Sequence, residues 1–394
     1  MNEKEKGMST KAVHAGEKRD PSSGSVITPI YQTSVFAFSS TQDLIAVMSG
    51  KEIEGHIYSR ISNPTLRVAE KKVAELEGAE DAAVFSSGMA AITTVILSLA
   101  SSGSHIVSTN ELYGGSLSFF NNILTKFGVE ISMVDPTDYE GIESAIKSNT
   151  VAIYTESPTN PTVKVVDLKK VAEIGKEKGI ITIVDNTFAS PFNQQPYKMG
   201  IDVVIHSATK YLGGHNDIIA GVVSGSKEFI NSLTATRKLL GGVLDPHAAW
   251  LLIRGMKTLV PRMARLNHNA TRVARYLESH PKVEKVYYPG LVSHPHFSVA
   301  KEQMRGFGSV VTFEIKGDLE TAIKFVENLK LCALTPSLGG VESLVTQPAT
   351  SSHFYIEREE RLKLGITDGM IRLAVGIEDA NDIISDLEQS FNIV

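Results

Sequence analysis

The sequence predicts an α/β protein with a large, mostly parallel sheet followed by a smaller C-terminal α/β domain. Three observations carry that reading. Short runs of β-branched and apolar residues alternate with amphipathic helical stretches through the first two thirds of the chain, as in doubly wound sheets. A long helical stretch beginning near Ala248 then interrupts the alternation, and further strand patterns follow it. Finally, 394 residues exceed what one ordinary core accommodates, while 42% apolar and 21% charged residues are the proportions of a soluble globular protein.

Residues 1 to about 60 carry few helical signals and scattered turn formers such as Asp20-Pro21-Ser22-Ser23-Gly24. An arm of this kind buries little by itself and is expected to lie across a neighbouring subunit. It ends in Tyr58-Ser59-Arg60-Ile61-Ser62-Asn63-Pro64, where Asn63 and Pro64 read as the N-cap and first position of a helix. That helix carries Leu66, Ala69, Val73 and Leu76 on one stripe and stops near Gly78. Next, Ala82-Ala83-Val84-Phe85 reads as a strand that feeds the small-residue turn Ser86-Ser87-Gly88-Met89 and a helix. Free backbone N–H groups at such a helix start suit an anion, and Gly88 permits its close approach.

Further strands are expected near 106–108, 131–134, 151–154, 181–184, 203–205 and 218–223, and helices around 116–127, 139–148 and 167–178. Ligands in such sheets sit at the carboxyl ends of the strands. Asp185 emerges at the end of one strand, and Lys210 follows another in Ser207-Ala208-Thr209-Lys210-Tyr211-Leu212-Gly213-Gly214. A lysine at the exit of a buried strand, with hydroxyls before it and glycines after it, is poorly explained as a solvated charge. Asp185 alone reads as a strand-ending cap. Together, the pair suits pyridoxal phosphate, which needs an amine for its aldehyde, donors for its phosphate (Ser207 and Thr209) and an acid facing its ring nitrogen. A second domain is expected to start near 255, with strands at 283–288, 309–313 and 370–374. Arg372 interrupts the last of these, and a buried guanidinium requires an anion, either a neighbouring carboxylate or a ligand.

Composition excludes several functions. A formal charge of −5 without any basic run speaks against nucleic acid. No apolar stretch approaches the ~20 residues that span a bilayer, and the polar start is unlike a signal peptide, so a cytoplasmic location is expected. One cysteine, Cys332, rules out an internal disulfide and reads as a buried hydrophobe. The eleven histidines hold no HExxH pattern, His294-Pro295-His296 reads as a loop, and no metal is expected. GxGxxG is absent as well, so a dinucleotide site lacks support.

Val184-Asp185-Asn186-Thr187 together with Ser207-Ala208-Thr209-Lys210 resembles the Cys/Met-metabolism family of pyridoxal-phosphate enzymes, from about Lys11 to the last helix. The resemblance implies a pyridoxal-phosphate transferase-like large domain at 61–254, an N-terminal arm at 1–60 and a C-terminal domain at 255–394. It further implies cofactor contacts from Gly88, Met89, Asp185, Ser207, Thr209 and Lys210, with Tyr58 and Arg60 reaching the phosphate of the adjacent protomer. By the same resemblance Tyr113 stacks on the ring and exchanges a proton with the leaving group, and Asn160, Ser337 and Arg372 hold the amino-acid substrate. A homo-oligomer follows, a tetramer built from two dimers.

Within that family, members handling cystathionine often place acidic residues where this chain has Ile57 and Pro336. Neither can pair with an ammonium group. An apolar γ-substituent such as the methylthio group of methionine matches better, so the expectation is γ-elimination on methionine. Gly115, where methionine γ-lyases commonly carry cysteine, and the Leu259-Val260-Pro261-Arg262-Met263 stretch favour instead a cystathionine γ-lyase, or γ-replacement as in cystathionine γ-synthase or O-acylhomoserine sulfhydrylase. An aminotransferase and a catalytically silent binding protein are the remaining rivals.

Overall fold

The computed structural model describes residues 6–50, 55–354 and 356–394. Seven strands form the large sheet: β1 (Asp81–Phe85), β2 (His105–Thr109), β3 (Glu130–Val134), β4 (Thr150–Glu156), β5 (Ile181–Asp185), β6 (Val203–Ser207) and β7 (Gly221–Gly225). Their spatial order is β1-β7-β6-β5-β4-β2-β3, parallel from β6 through β3, with β7 antiparallel to both of its neighbours. The smaller sheet holds β8 (Val283–Tyr287), β9 (Val310–Ile315), β10 (Ala333–Leu334), β11 (Leu344–Thr346) and β12 (Met370–Ala374) in the order β10-β11-β12-β9-β8. The α/β architecture is the one expected.

Both faces of the large sheet are covered. Phe85, Tyr154, Ile183 and Ile205 pack on one face beneath the helices Gly88–Leu99 and Lys227–Leu240, and Ile153, Val184 and Val204 pack on the other against Leu168–Lys178. Burial on both faces explains why these strands read as continuous apolar runs. A third cluster joins the two sheets: Tyr211 and Leu212 pack with Leu252, Leu259 and Met263 and with Val310 and Ala374. The Tyr211 hydroxyl also meets Ser309 Oγ at 2.8 Å. The residues directly after Lys210 are thereby pinned in shared core.

Several expectations require correction. The arm contains two short helices, Met8–His14 and Thr41–Met48, the second capped by Ser40 and burying none of its residues. The strand expected at 218–223 begins only at Gly221, and the stretch from 248 to 279 is two helices, Pro246–Lys257 and Leu259–Ser279. Asn63 does cap Pro64–Glu77, its side chain accepting the Thr65 N–H, and Gly78 ends that helix in the left-handed conformation. Cys332 is buried, and its main-chain N–H donates to Asp386. His296 accepts the Val165 N–H through Nδ1, a loop contact. No helix among the described residues is long and apolar enough to cross a membrane, and no cluster of His, Cys, Asp or Glu there could hold a metal.

Candidate active site

A cavity of about 420 Å³ opens at the carboxyl ends of the large sheet's strands, where the smaller sheet leans over them. The large sheet contributes Gly88, Met89, Tyr113, Asn160, Asp185, Ser207, Thr209 and Lys210 to its lining, and the C-terminal part contributes Ser337 and Arg372. Ten of the twelve residues singled out from sequence therefore meet in one pocket. Tyr58 and Arg60 do not. They lie exposed on the arm, Arg60 over the Tyr58 ring with its Nη1 donating to Lys238 O of the same chain at 2.5 Å.

Lys210 is half-buried and its Nζ donates to Ser337 Oγ at 2.7 Å. Burial, reinforced by the positive charge of Arg372, lowers its pKa to about 8. Ser337 sits at φ 103°, a conformation costly for a residue bearing Cβ, and its carbonyl accepts Arg372 Nη2 at 3.1 Å. Arg372 itself is buried. Its Nη1 donates to Asn160 Oδ1 at 2.9 Å, while Nε has no partner. Among the described residues no carboxylate pairs with it, which removes the structural alternative raised from sequence and leaves a guanidinium lacking its anion. Burial lowers its pKa to about 10, still well above neutrality.

Asp185 and a residue overlooked in the sequence, Glu156, end adjacent parallel strands and stand opposite each other in register. Both are buried. Asp185 Oδ1 accepts the Thr187 N–H at 3.0 Å and the Thr187 hydroxyl, whereas Glu156 receives only the Tyr113 N–H at 2.8 Å. Burial raises both carboxyls above the usual range, Glu156 further because the Asp185 charge faces it. Two such neighbours do not both ionise. Asp185, with more donors, holds the charge and Glu156 the proton. The sequence signal of Glu156, an acid closing an apolar strand, is that of an ordinary cap, and only strand order shows that it faces Asp185.

Gly88 opens the helix Gly88–Leu99, whose first N–H groups have no intrahelical acceptor. Ser87 caps it through the Ala90 N–H, and a Cβ at position 88 would stand 2.9 Å from Ser207 Cβ. Thr209 Oγ1 is shared with the main chain of Ala220. Gly115 lies so close beneath Tyr113 that a Cβ there would meet the ring at 2.5 Å. Pro336, Phe188, Ile219 and Ser352 complete the walls, and of these only Pro336 was marked from sequence.

The set fits pyridoxal phosphate. A depressed-pKa amine and a buried acid flank one small pocket, a bare glycine cradle with hydroxyls offers donors to a phosphate, and an unpaired guanidinium awaits a carboxylate.

Comparison with known proteins agrees. Residues 9–392 match the family described as Cys/Met metabolism PLP-dependent enzyme. The chain is 45% identical over 385 residues to cystathionine gamma-synthase 1, chloroplastic, of Arabidopsis thaliana, covering 97% of this chain and 68% of that one. It is 44% identical over 392 residues to L-methionine gamma-lyase of Fusobacterium nucleatum subsp. nucleatum, covering 99% of each. Among solved structures, cystathionine gamma-lyase from Lactobacillus plantarum complexed with L-serine superposes with a TM-score of 0.92 at 40% identity, over 98% of this chain and 99% of that one.

Proposed function

The chain belongs to the Cys/Met-metabolism family of pyridoxal-phosphate-dependent enzymes, which act on sulfur amino acids, and from that premise we propose that it carries out γ-elimination on methionine, releasing methanethiol, 2-oxobutanoate and ammonia. The observation that supports this choice is the substrate end of the pocket. Pro336 lines it beside Ser337 and Leu338, Ile219 stands at its rim, and its only carboxylates among the described residues, Glu156 and Asp185, close strands of the large sheet. An ammonium group at the far end of a substrate finds no partner there, whereas a methylthio group loses nothing.

The residues divide the work by position. Arg372, with Asn160 and Ser337, holds the α-carboxylate and orients the substrate. Bound, the cofactor supplies the electron sink that acidifies the substrate's Cα. Asp185 keeps a proton on the ring nitrogen, and Ser207, Thr209 and the N–H groups at Gly88 and Met89 hold the phosphate. Lys210, as a neutral amine, would take up the Cα proton, its low pKa making that form available near pH 8. Tyr113, anchored through its N–H to Glu156, protonates the departing sulfur.

Turnover of methionine, cystathionine and O-acylhomoserine plus cysteine, measured side by side as 2-oxobutanoate release and as thioether formation, tests the choice. Methionine is expected to be preferred, with no need for an acceptor keto acid. A strong preference for cystathionine would transfer the assignment to the cystathionine enzymes, and a strict requirement for an acceptor would make the protein an aminotransferase. Lys210→Ala is expected to abolish turnover.

A further inference from the structure

Glu111 lies outside the pocket lining, yet it is buried and fully engaged. Its Oε1 pairs with Lys164 Nζ at 2.6 Å, and its Oε2 accepts the hydroxyls of Thr159, at 3.1 Å, and of Thr162. These partners bracket a loop that closes on itself. Thr159 N–H donates to Lys164 O at 2.9 Å, and Lys164 N–H donates back to Thr159 Oγ1 at 3.1 Å. Between the two threonines stand Asn160 and Pro161, and both are gripped from the other side. Asn160 Oδ1 accepts Arg372 Nη1, and Pro161 O accepts the Thr312 hydroxyl at 2.7 Å. Thr312 and Arg372 are register partners on β9 and β12. The loop is thus a rivet between the two sheets, with Glu111 as its head on the large-sheet side.

We propose that Glu111 is a positioning residue for recognition of the substrate carboxylate, acting through Asn160 on Arg372. The inference rests on Arg372 holding that carboxylate, as proposed above. Without Glu111, the Thr159 and Thr162 hydroxyls lose their shared acceptor and keep only each other, at 3.2 Å, and among the described residues Lys164 keeps the half-exposed Asp135, at 3.0 Å. The loop is then free to shift, and Arg372 loses the acceptor that aims it. Glu111 also stands two residues before Tyr113, so one carboxylate ties the Tyr113 segment to the Asn160 loop.

The test titrates cofactor-loaded protein with norleucine, which has no γ leaving group, and with pentylamine, which lacks the carboxylate, following the visible absorbance. Glu111→Ala is expected to weaken norleucine binding about tenfold while pentylamine changes by less than about twofold. Glu111→Gln, which retains one acceptor for the threonines, should fall between wild type and Glu111→Ala. General loosening would weaken both ligands in parallel, and that result, or unchanged norleucine affinity, overturns the proposal. Should Glu111→Ala fail to fold, the same comparison in Glu111→Gln decides. Wild-type protein that binds the two ligands equally would instead remove the carboxylate role of Arg372, and the inference with it.

Discussion

At the scale of single residues, the proposed chemistry turns on Lys210 being a better nucleophile than an ordinary lysine. With its pKa lowered to about 8, about a tenth of the amine is neutral at pH 7, against less than about a thousandth for a solvated lysine. Only the neutral amine attacks an aldehyde. The rate at which cofactor-free protein takes up pyridoxal phosphate, read as growing visible absorbance, should therefore rise with pH and level off above about 8. A midpoint near that of free lysine would refute the burial argument. Removing the second cause, the Arg372 charge, by Arg372→Met should move the midpoint upward. Arg372 was legible in the sequence because it interrupts an apolar strand, and Lys210 and Asp185 because the two together, each just after a strand, suit one cofactor. Glu156 and Glu111 were not. An acid after a strand reads as an ordinary cap until strand order shows what lies beside it, and β4 being the neighbour of β5 is a fact of topology.

Single elements show where local pattern stops informing. The strands were legible because two-face burial makes them uniformly apolar, but Ile218-Ile219-Ala220 mimicked a strand start. There Thr209 takes both the N–H and the carbonyl of Ala220, keeping that residue out of the ladder, and Ile219 is left 68% exposed at the pocket rim. The helical stretch after 246 breaks at Thr258, and Pro261 falls in the first turn of Leu259–Ser279, where its missing N–H costs nothing. The element most tightly fitted to function is the helix Gly88–Leu99. A methyl at Gly88, the first residue of that helix, collides with Ser207. Gly88→Ala should hence weaken pyridoxal phosphate affinity about tenfold, measured by equilibrium dialysis. Undiminished affinity would place the phosphate elsewhere.

For the whole molecule, the arm is the part whose fold makes least sense in isolation. The helix Thr41–Met48 buries nothing, and Val26 is 81%, Val35 61% and Met48 68% exposed. We propose that this apolar surface is an interface with a second copy of the chain. That occupant would also explain why Tyr58 and Arg60, with the phosphate-binding chemistry of an arginine fork, sit outside their own pocket. The consequence is testable by complementation. Arg60→Ala and Lys210→Ala should each be inactive alone, since every site in either lacks one contributor. Mixed by unfolding and reassociation, half of the dimers carry one copy of each, and in these one site receives both the intact lysine and the intact arginine. Activity should therefore recover to about a quarter of wild type, one site in two in half of the dimers. No recovery, despite mixed dimers shown by differential tagging, would mean that Arg60 serves its own chain, its contact with Lys238 being its working position, and the arm's apolar surface would then need a different partner.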